Sequence, residues 1–271
     1  IVAADPAPTA APTVVPLPTP APTSTPLPTT PLTPTATPIP EITLLFTGDI
    51  NPARCVYWLA KEAGDVTLPY QPLAETLRGA DLTIGSLDAA ISDYNPPVPC
   101  TETRNLLAPA EAVAGLQFAG FDVLSVATNH IKDCGLGRGC INDSMFDTLA
   151  NLRAAGIQPT GAGANLEEAA APVIVAVRGV RFAFLGFSAI EPNYWADEDS
   201  PGAAPFLPDV YLDAIRRAKA EADVVVVLPH WGTEYSGRIN WQQINAAPEM
   251  IEAGATLIVG NHPHHVQGIE P

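Results

Sequence analysis

From Glu41 onward one hydrophobic pattern recurs along the chain. An amphipathic stretch of helical period ends in Gly or Ala, a β-branched apolar run follows, and that run stops at polar residues with metal-ligand chemistry. The spacing predicts helices over Gln71–Arg78, Pro109–Ala119, Asn142–Ala155, Asp209–Ala222 and Trp241–Ala253. The first apolar run, Glu41–Thr47, has no helix before it and leads into Gly48-Asp49-Ile50-Asn51. Later runs lead into Gly85-Ser86-Leu87-Asp88, Ala127-Thr128-Asn129-His130, His230-Trp231-Gly232 and Gly260-Asn261-His262-Pro263-His264-His265. Pro172–Val177 and Val180–Phe187 meet at Arg178-Gly179 and read as a hairpin. Gly161-Ala162-Gly163 reads as a tight strand-to-helix turn, and Glu191–Pro208 as either a lid or a plain connection.

Helices alternating with wholly apolar strands predict an α/β protein whose buried sheets are covered by helices. In such folds ligands gather at the carboxyl ends of the strands, which turns five scattered positions into one candidate site. Those ends supply Asp49, Asp88, Asn129 with His130, His230, and His262 with His264. Carboxylate, imidazole and amide oxygen suit a divalent transition metal such as Zn, Mn or Fe, and the donors outnumber the needs of one tetrahedral ion. Two metals are the economical reading, since a two-metal site clamps the attacking and leaving oxygens of a phosphoester. His265 should point away from His264 in an extended segment. Trp231, Trp241, Tyr235 and Tyr194 either line a cleft or are ordinary core and surface aromatics.

Composition removes one segment from the foldable chain. Residues 1–40 hold 13 of the 30 prolines and 10 threonines, with Asp5 the single charged residue. Their Pro/Thr/Ala alternation has no period that buries a face, so they read as a stiff, disordered linker reaching ~100 Å at ~3.1 Å per residue. The remaining 231 residues suffice for one domain with a sizeable core. A formal net charge of −16 argues against a nucleic-acid partner and against docking on anionic lipid.

No apolar run approaches the ~18–20 residues of a bilayer span, and Val224–Leu228 suits a buried strand. The chain begins at Ile1 rather than Met, which leaves room for an N-terminal signal or anchor upstream. Cys55, Cys100, Cys134 and Cys140 form no C-x-x-C pair. Their even count and wide spacing favour an oxidising compartment, with Cys134–Cys140 and Cys55–Cys100 as the pairing, against reduced buried thiols as the alternative.

Several stretches together resemble a known family: FTGDIN at 46–51, GSLDAAIS at 85–92, ATNHIKDCG at 127–135, GIQPTGAG at 156–163, LPHWGTEY at 228–235 and VGNHPHHVQGIE at 259–270. Their order resembles the calcineurin-like metallophosphoesterases and, more closely, the CapA family of poly-γ-glutamate capsule synthesis. The resemblance implies a metallo-dependent phosphatase-like α/β sandwich, two sheets flanked by helices, over residues 41–271. It implies metal ligation by Asp49, Asp88, Asn129, His230, His262 and His264. His130 would be the general acid or phosphate-contacting imidazole, oriented by Asp133, with Asn51, Trp231 and Glu234 on the substrate side.

Three departures stand out: Asn51 where the superfamily has a histidine after Asp-x, Asp88 where the family usually has Glu, and no recognisable second Gly-Asp motif with the superfamily's bridging Asp. The family also continues beyond the His-Pro-His segment into a further strand, so the resemblance implies a fold truncated at Pro271. The implied function is an extracytoplasmic, cell-surface or secreted, metal-dependent hydrolase. It would act on an anionic cell-envelope polymer or with its synthesis machinery. A non-catalytic polymer-binding tether and a phosphoesterase of a small envelope metabolite remain alternatives.

Overall fold

The computed structural model describes residues 41–94, 100, 104–135 and 141–271. The expected linker over 1–40 and Cys140 lie outside the described residues. In chain order the first half comprises β1 (Leu44–Ile50), α1 (Arg54–Glu62), α2 (Ala74–Arg78), β2 (Leu82–Leu87), β3 (Ala90–Ile91), β4 (Leu107–Ala108), α3 (Val113–Ala119), β5 (Val123–Ser125), α4 (Ile141–Ala154), β6 (Gln158–Thr160) and β7 (Ala162–Gly163). The second half comprises α5 (Leu166–Ala169), β8 (Val173–Val177), β9 (Val180–Ser188), β10 (Gly202–Ala203), α6 (Pro208–Glu221), β11 (Val224–His230), α7 (Trp241–Ala253) and β12 (Leu257–Ile258).

These strands form two principal sheets. The first has the order β1-β2-β5-β6, all parallel. The second has the order β12-β11-β9-β8, with only β8 antiparallel, as the Arg178-Gly179 hairpin requires.

Strand alternation explains how the sheets are covered. Phe182, Phe184, Val226 and Leu228 of the second sheet share one core with Leu82, Ile84 and Val123 of the first. The intervening residues Ala183, Leu185, Phe187, Val225 and Val227 point the other way, onto Tyr211, Ile215 and Ala218 of α6 and Ala246 and Met250 of α7. Leu124 faces Leu116 of α3 and Met145, Leu149 and Leu152 of α4 in the remaining core. The α/β sandwich of two sheets flanked by helices is thus the observed architecture. Because central strands such as β2 and β11 have both faces covered, their apolar runs carry no polar alternation.

Trp241–Ala253 is the helix whose bounds follow from sequence without adjustment, because its start is chemically marked. The Asn240 side chain accepts the Gln243 N–H at 3.1 Å, and the Gln243 side chain accepts the Asn240 N–H at 2.9 Å. Asn240→Ala is expected to cost about 1 kcal/mol, read as a shifted denaturation midpoint with unchanged slope.

Three elements differ from expectation. α1 was not anticipated: its contiguous Val56-Tyr57-Trp58-Leu59 hides the helical period, and a disulfide from Cys55 to Cys100 fixes its first turn. That bond is one of the two expected pairs. Cys134 is also disulfide-bonded, but the expected pair with Cys140 falls outside the described residues. Gly161-Ala162-Gly163 is not a bare turn. It contains β7, which pairs antiparallel with β10 from the Glu191–Pro208 connection. That connection is further fixed by Lys132, whose buried ammonium donates to the Pro201 carbonyl at 2.5 Å, so it is woven into the domain rather than laid over it as a lid.

No helix among the described residues is long and apolar enough to cross a membrane.

Candidate metal centre

The parallel strands of both sheets deliver their chemistry at one edge. Asp49 is the penultimate residue of β1, Asp88 follows β2, and Asn129 and His130 lie in the turn after β5. His230 ends β11, and a bridge from His230 to Asn261 carries the segment after β12 alongside, bringing His262 with it. The sheets are joined across this edge, since the Asp49 carboxylate accepts the His262 backbone N–H at 2.9 Å.

His230 is the centre of the buried part. Its Nε2 lies 2.9 Å from Asn129 Oδ1, 3.1 Å from His262 Nδ1 and 3.8 Å from Asp88 Oδ1. Its Nδ1 faces Asp49 Oδ1 at 3.7 Å, while the other Asp49 oxygen stands 3.1 Å from His264 Nδ1. Complete burial holds the His230 pKa far below the ordinary imidazole value, with the charges of His262, His130 and His264 acting in the same direction. His230 is therefore neutral, and its approaches to Asp49 and Asp88 are not ion pairs. Burial also lowers the His262 pKa, offset in part by Glu234 and Asp49. Burial pushes the Asp88 carboxyl up to about 6, the His130 charge drawing it down and the Asp49 charge raising it.

A divalent metal fits this donor set. Asp49 Oδ1, Asp88 Oδ1 and His230 Nδ1 are buried without hydrogen-bond partners. An orphaned polar atom of this kind costs about 1–3 kcal/mol. The spacings around His230 Nε2 match donors that share one ion, and neutral imidazole with carboxylate is the ligand form a metal requires.

His130 stands at the rim. Its Nδ1 bonds Asp133 Oδ2 at 2.7 Å, and that same oxygen accepts the Leu106 N–H at 2.6 Å. Burial alone would lower the His130 pKa, but the Asp133 bond and the charges of Asp88, Asp133 and Glu191 leave it raised. Asp133 is thus positioned to orient the ring and stabilise its charged form.

The structure places the other expected residues differently. Trp231 is only 5% exposed and packs edge-on against Phe206, with its indole against Gly260, so it belongs to the core and not to a substrate surface. Asn51 uses its side-chain oxygen to accept the Ala53 N–H at 2.9 Å, which turns the chain into α1. Glu234 is exposed and grouped with His262 and His264. His265 bonds the Val266 carbonyl and stays out of the cluster, as its alternation suggested. Tyr235 is exposed with its ring 5.7 Å from that of His264, whereas Trp241 is an exposed residue of α7. Thr128 escaped the sequence reading, although it sits one residue before Asn129; its hydroxyl accepts the His130 N–H at 3.3 Å and hydrogen-bonds Asp88.

A family model described as bacterial capsule synthesis protein PGA_cap matches residues 43–271. The chain belongs to the PGA_cap family. The PGA biosynthesis protein CapA of Bacillus subtilis (strain 168) is 32% identical over 227 residues, covering 83% of this chain and 58% of that protein. The capsule biosynthesis protein CapA of Bacillus anthracis is 32% identical over 237 residues, covering 85% of this chain and 56% of that one. This PGA_cap chain therefore spans a little over half the length of those relatives. Among solved structures, the NAD nucleotidase of Haemophilus influenzae aligns over 76% of the chain and 34% of its own length, at 12% identity and a TM-score of 0.44. The stretches 46–51, 85–92, 127–135, 228–235 and 259–270 within the matched region supply the residues that converge at the strand ends.

Proposed function

We propose that this capsule-synthesis family domain is a metal-dependent hydrolase of the phosphoester type, acting on an anionic cell-envelope polymer such as poly-γ-glutamate or on its assembly intermediates. The observation that carries the reading is the convergence of Asp88, Asn129, His230 and His262 at one buried point, with three polar atoms of the cluster unpartnered. Asp49, Asp88, Asn129, His230, His262 and His264 would hold Mn, Zn or Fe. A divalent ion there supplies Lewis-acid polarisation and a nucleophile at neutral pH.

The chain's own residues account for the proton. Hydrolysis adds water across the ester and breaks the bond to the leaving oxygen, which needs a proton as it departs. His130, whose charged form the Asp133 bond at Nδ1 favours, has Nε2 left to act as that donor. Neutral, buried His230 and His262 keep Asn129 and Asp88 in place and exclude water beneath the reacting face. The family's polymer is polyanionic, and the net charge of −16 makes a cationic centre at this edge a requirement for binding it.

His130→Ala is expected to lower hydrolysis of bis(p-nitrophenyl) phosphate by Mn- or Zn-loaded protein about 10²- to 10⁴-fold while metal content stays unchanged. Undiminished turnover would remove His130 from the proton-donor role. Metal-free protein that still binds poly-γ-glutamate would favour a tether instead. An extracytoplasmic setting belongs to the same proposal and is supported by the Cys55–Cys100 disulfide, which cytosolic thiol buffers would reduce.

A further inference from the structure

The loop between β11 and α7 is fastened along the segment that carries His262 and His264. Tyr235 donates its backbone N–H to the Pro263 carbonyl at 2.7 Å. The Gln267 side-chain amide donates to the carbonyls of Ser236 and Arg238 at 3.0 and 3.1 Å, and its oxygen accepts from the Gln243 amide of α7 at 2.8 Å. Within the loop the Ser236 hydroxyl accepts the Arg238 N–H at 3.2 Å. A surface loop bonded in this way is preorganised, so a ligand that meets it has little ordering cost to overcome.

The side chains it displays are not those of an ordinary solvated turn. Tyr235 is 76% exposed at a backbone φ of +56°, a left-handed conformation unfavourable for a bulky residue, and its ring stands 5.7 Å from that of His264. Ile239 and Trp241 are exposed on the same stretch, and so is Arg238. Elsewhere the cations are committed: Lys61, Arg178, Arg181 and Arg217 pair with Glu111, Asp81, Asp223 and Asp213, and Lys132 is buried against a carbonyl. Among the described residues no carboxylate pairs with Arg238. Exposed Tyr and Trp beside an uncommitted guanidinium are the residue types on which binding surfaces concentrate their energy.

We propose that Tyr235 and Arg238 form an arm that binds the carboxylates of a polyanionic chain beside the strand-end cluster. The proposal rests on the anionic-polymer reading above and names the side chains that recognise the polymer. A guanidinium meets a carboxylate with two parallel N–H donors, a match that an ammonium lacks. The Tyr235 phenol adds a further donor, and its ring offers a face to the methylene and amide groups between carboxylates. A net charge of −16 repels a polyanion from most of the surface, so a local unpaired cation decides where such a chain can settle. Because the Tyr235 ring adjoins that of His264, a chain held on the arm lies next to the candidate metal centre.

The test follows binding of fluorescein-labelled γ-linked polyglutamate to the full chain by fluorescence anisotropy over a series of salt concentrations. Arg238→Gln should weaken binding about 5- to 10-fold at low salt, and the gap from wild type should narrow as salt screens the contact. Arg238→Lys should recover part of the loss, and Tyr235→Ala should also weaken binding while Tyr235→Phe loses less. The methyl-esterified, uncharged polymer should not distinguish wild type from Arg238→Gln. Equal affinity of wild type and Arg238→Gln for the charged polymer at every salt concentration overturns the arm. Phosphodiester turnover by wild type that binds no polymer overturns the arm and leaves metal-dependent hydrolysis standing. Arg238-dependent polymer binding in protein that hydrolyses no phosphodiester supports the arm and overturns the hydrolase reading alone.

Discussion

Asp49→Ala is expected to leave the purified protein without bound transition metal and with less than about 1% of wild-type phosphodiester turnover. Groups that merely orient ligands change metal affinity about 10- to 100-fold, and a carboxylate facing both His230 and His264 should exceed that. In metal-free protein the same change is nearly balanced. The His262 N–H loses its acceptor, which costs about 1–3 kcal/mol, but the unpartnered Asp49 Oδ1 disappears with it. The two contributions separate in a melting experiment. An ion present at ~100 times its dissociation constant stabilises the fold by about 2.7 kcal/mol, or roughly 5–10 °C for a domain of this size. Wild type should show that rise on adding Zn²⁺, and Asp49→Ala should melt at one temperature with or without it. An equal rise in the variant would remove Asp49 from the ligand set.

The residues of this centre were readable because each stands where an apolar run ends. A run such as Val224–Leu228, buried on both faces, is a parallel strand by composition alone, and ligands collect at the carboxyl ends of parallel strands. What escaped were features decided by contacts distant in sequence. The two-residue pairs β3–β4 and β7–β10 have no period to read, because their partners define them. Trp231 follows His230 directly, but alternation sends its ring to the opposite side, against Phe206. Asn51 occupies a ligand position in the motif, yet its oxygen has a nearer partner in the Ala53 N–H. Glu234 and the His262-Pro263-His264 turn lie almost thirty residues apart, and pairing between distant segments, the His230–Asn261 bridge and the Tyr235-to-Pro263 hydrogen bond, brings them together.

The close packing of the two sheets makes Gly161→Ala a substitution with a large expected effect on stability. Gly161 has φ +91°, and a Cβ there would lie 2.7 Å from the Ala127 Cβ and 2.9 Å from both the Cα and the carbonyl oxygen of Gly186. Gly186 belongs to β9 of the second sheet, whereas Gly161 follows β6 of the first, so the added methyl is driven into backbone that cannot rotate away. The left-handed conformation costs about 1–2 kcal/mol and the overpacking about 1–3 kcal/mol more, a fall in melting temperature of roughly 5–20 °C. Gly156→Ala isolates the conformational part, since Gly156 has φ +82° with nothing within 4 Å of its Cβ position, and should cost only about 1–2 kcal/mol. The difference between the two variants is the sheet-to-sheet contact. Its effect should reach the metal centre, because Ala127 lies two residues before Asn129 and any yielding of that turn moves the amide oxygen away from His230 Nε2. Gly161→Ala should therefore weaken Zn²⁺ binding as well as stability, while Gly156→Ala leaves binding unchanged. Equal destabilisation by the two substitutions, with equal metal affinity, would show that the sheets tolerate separation at Gly161 and that the site does not depend on it.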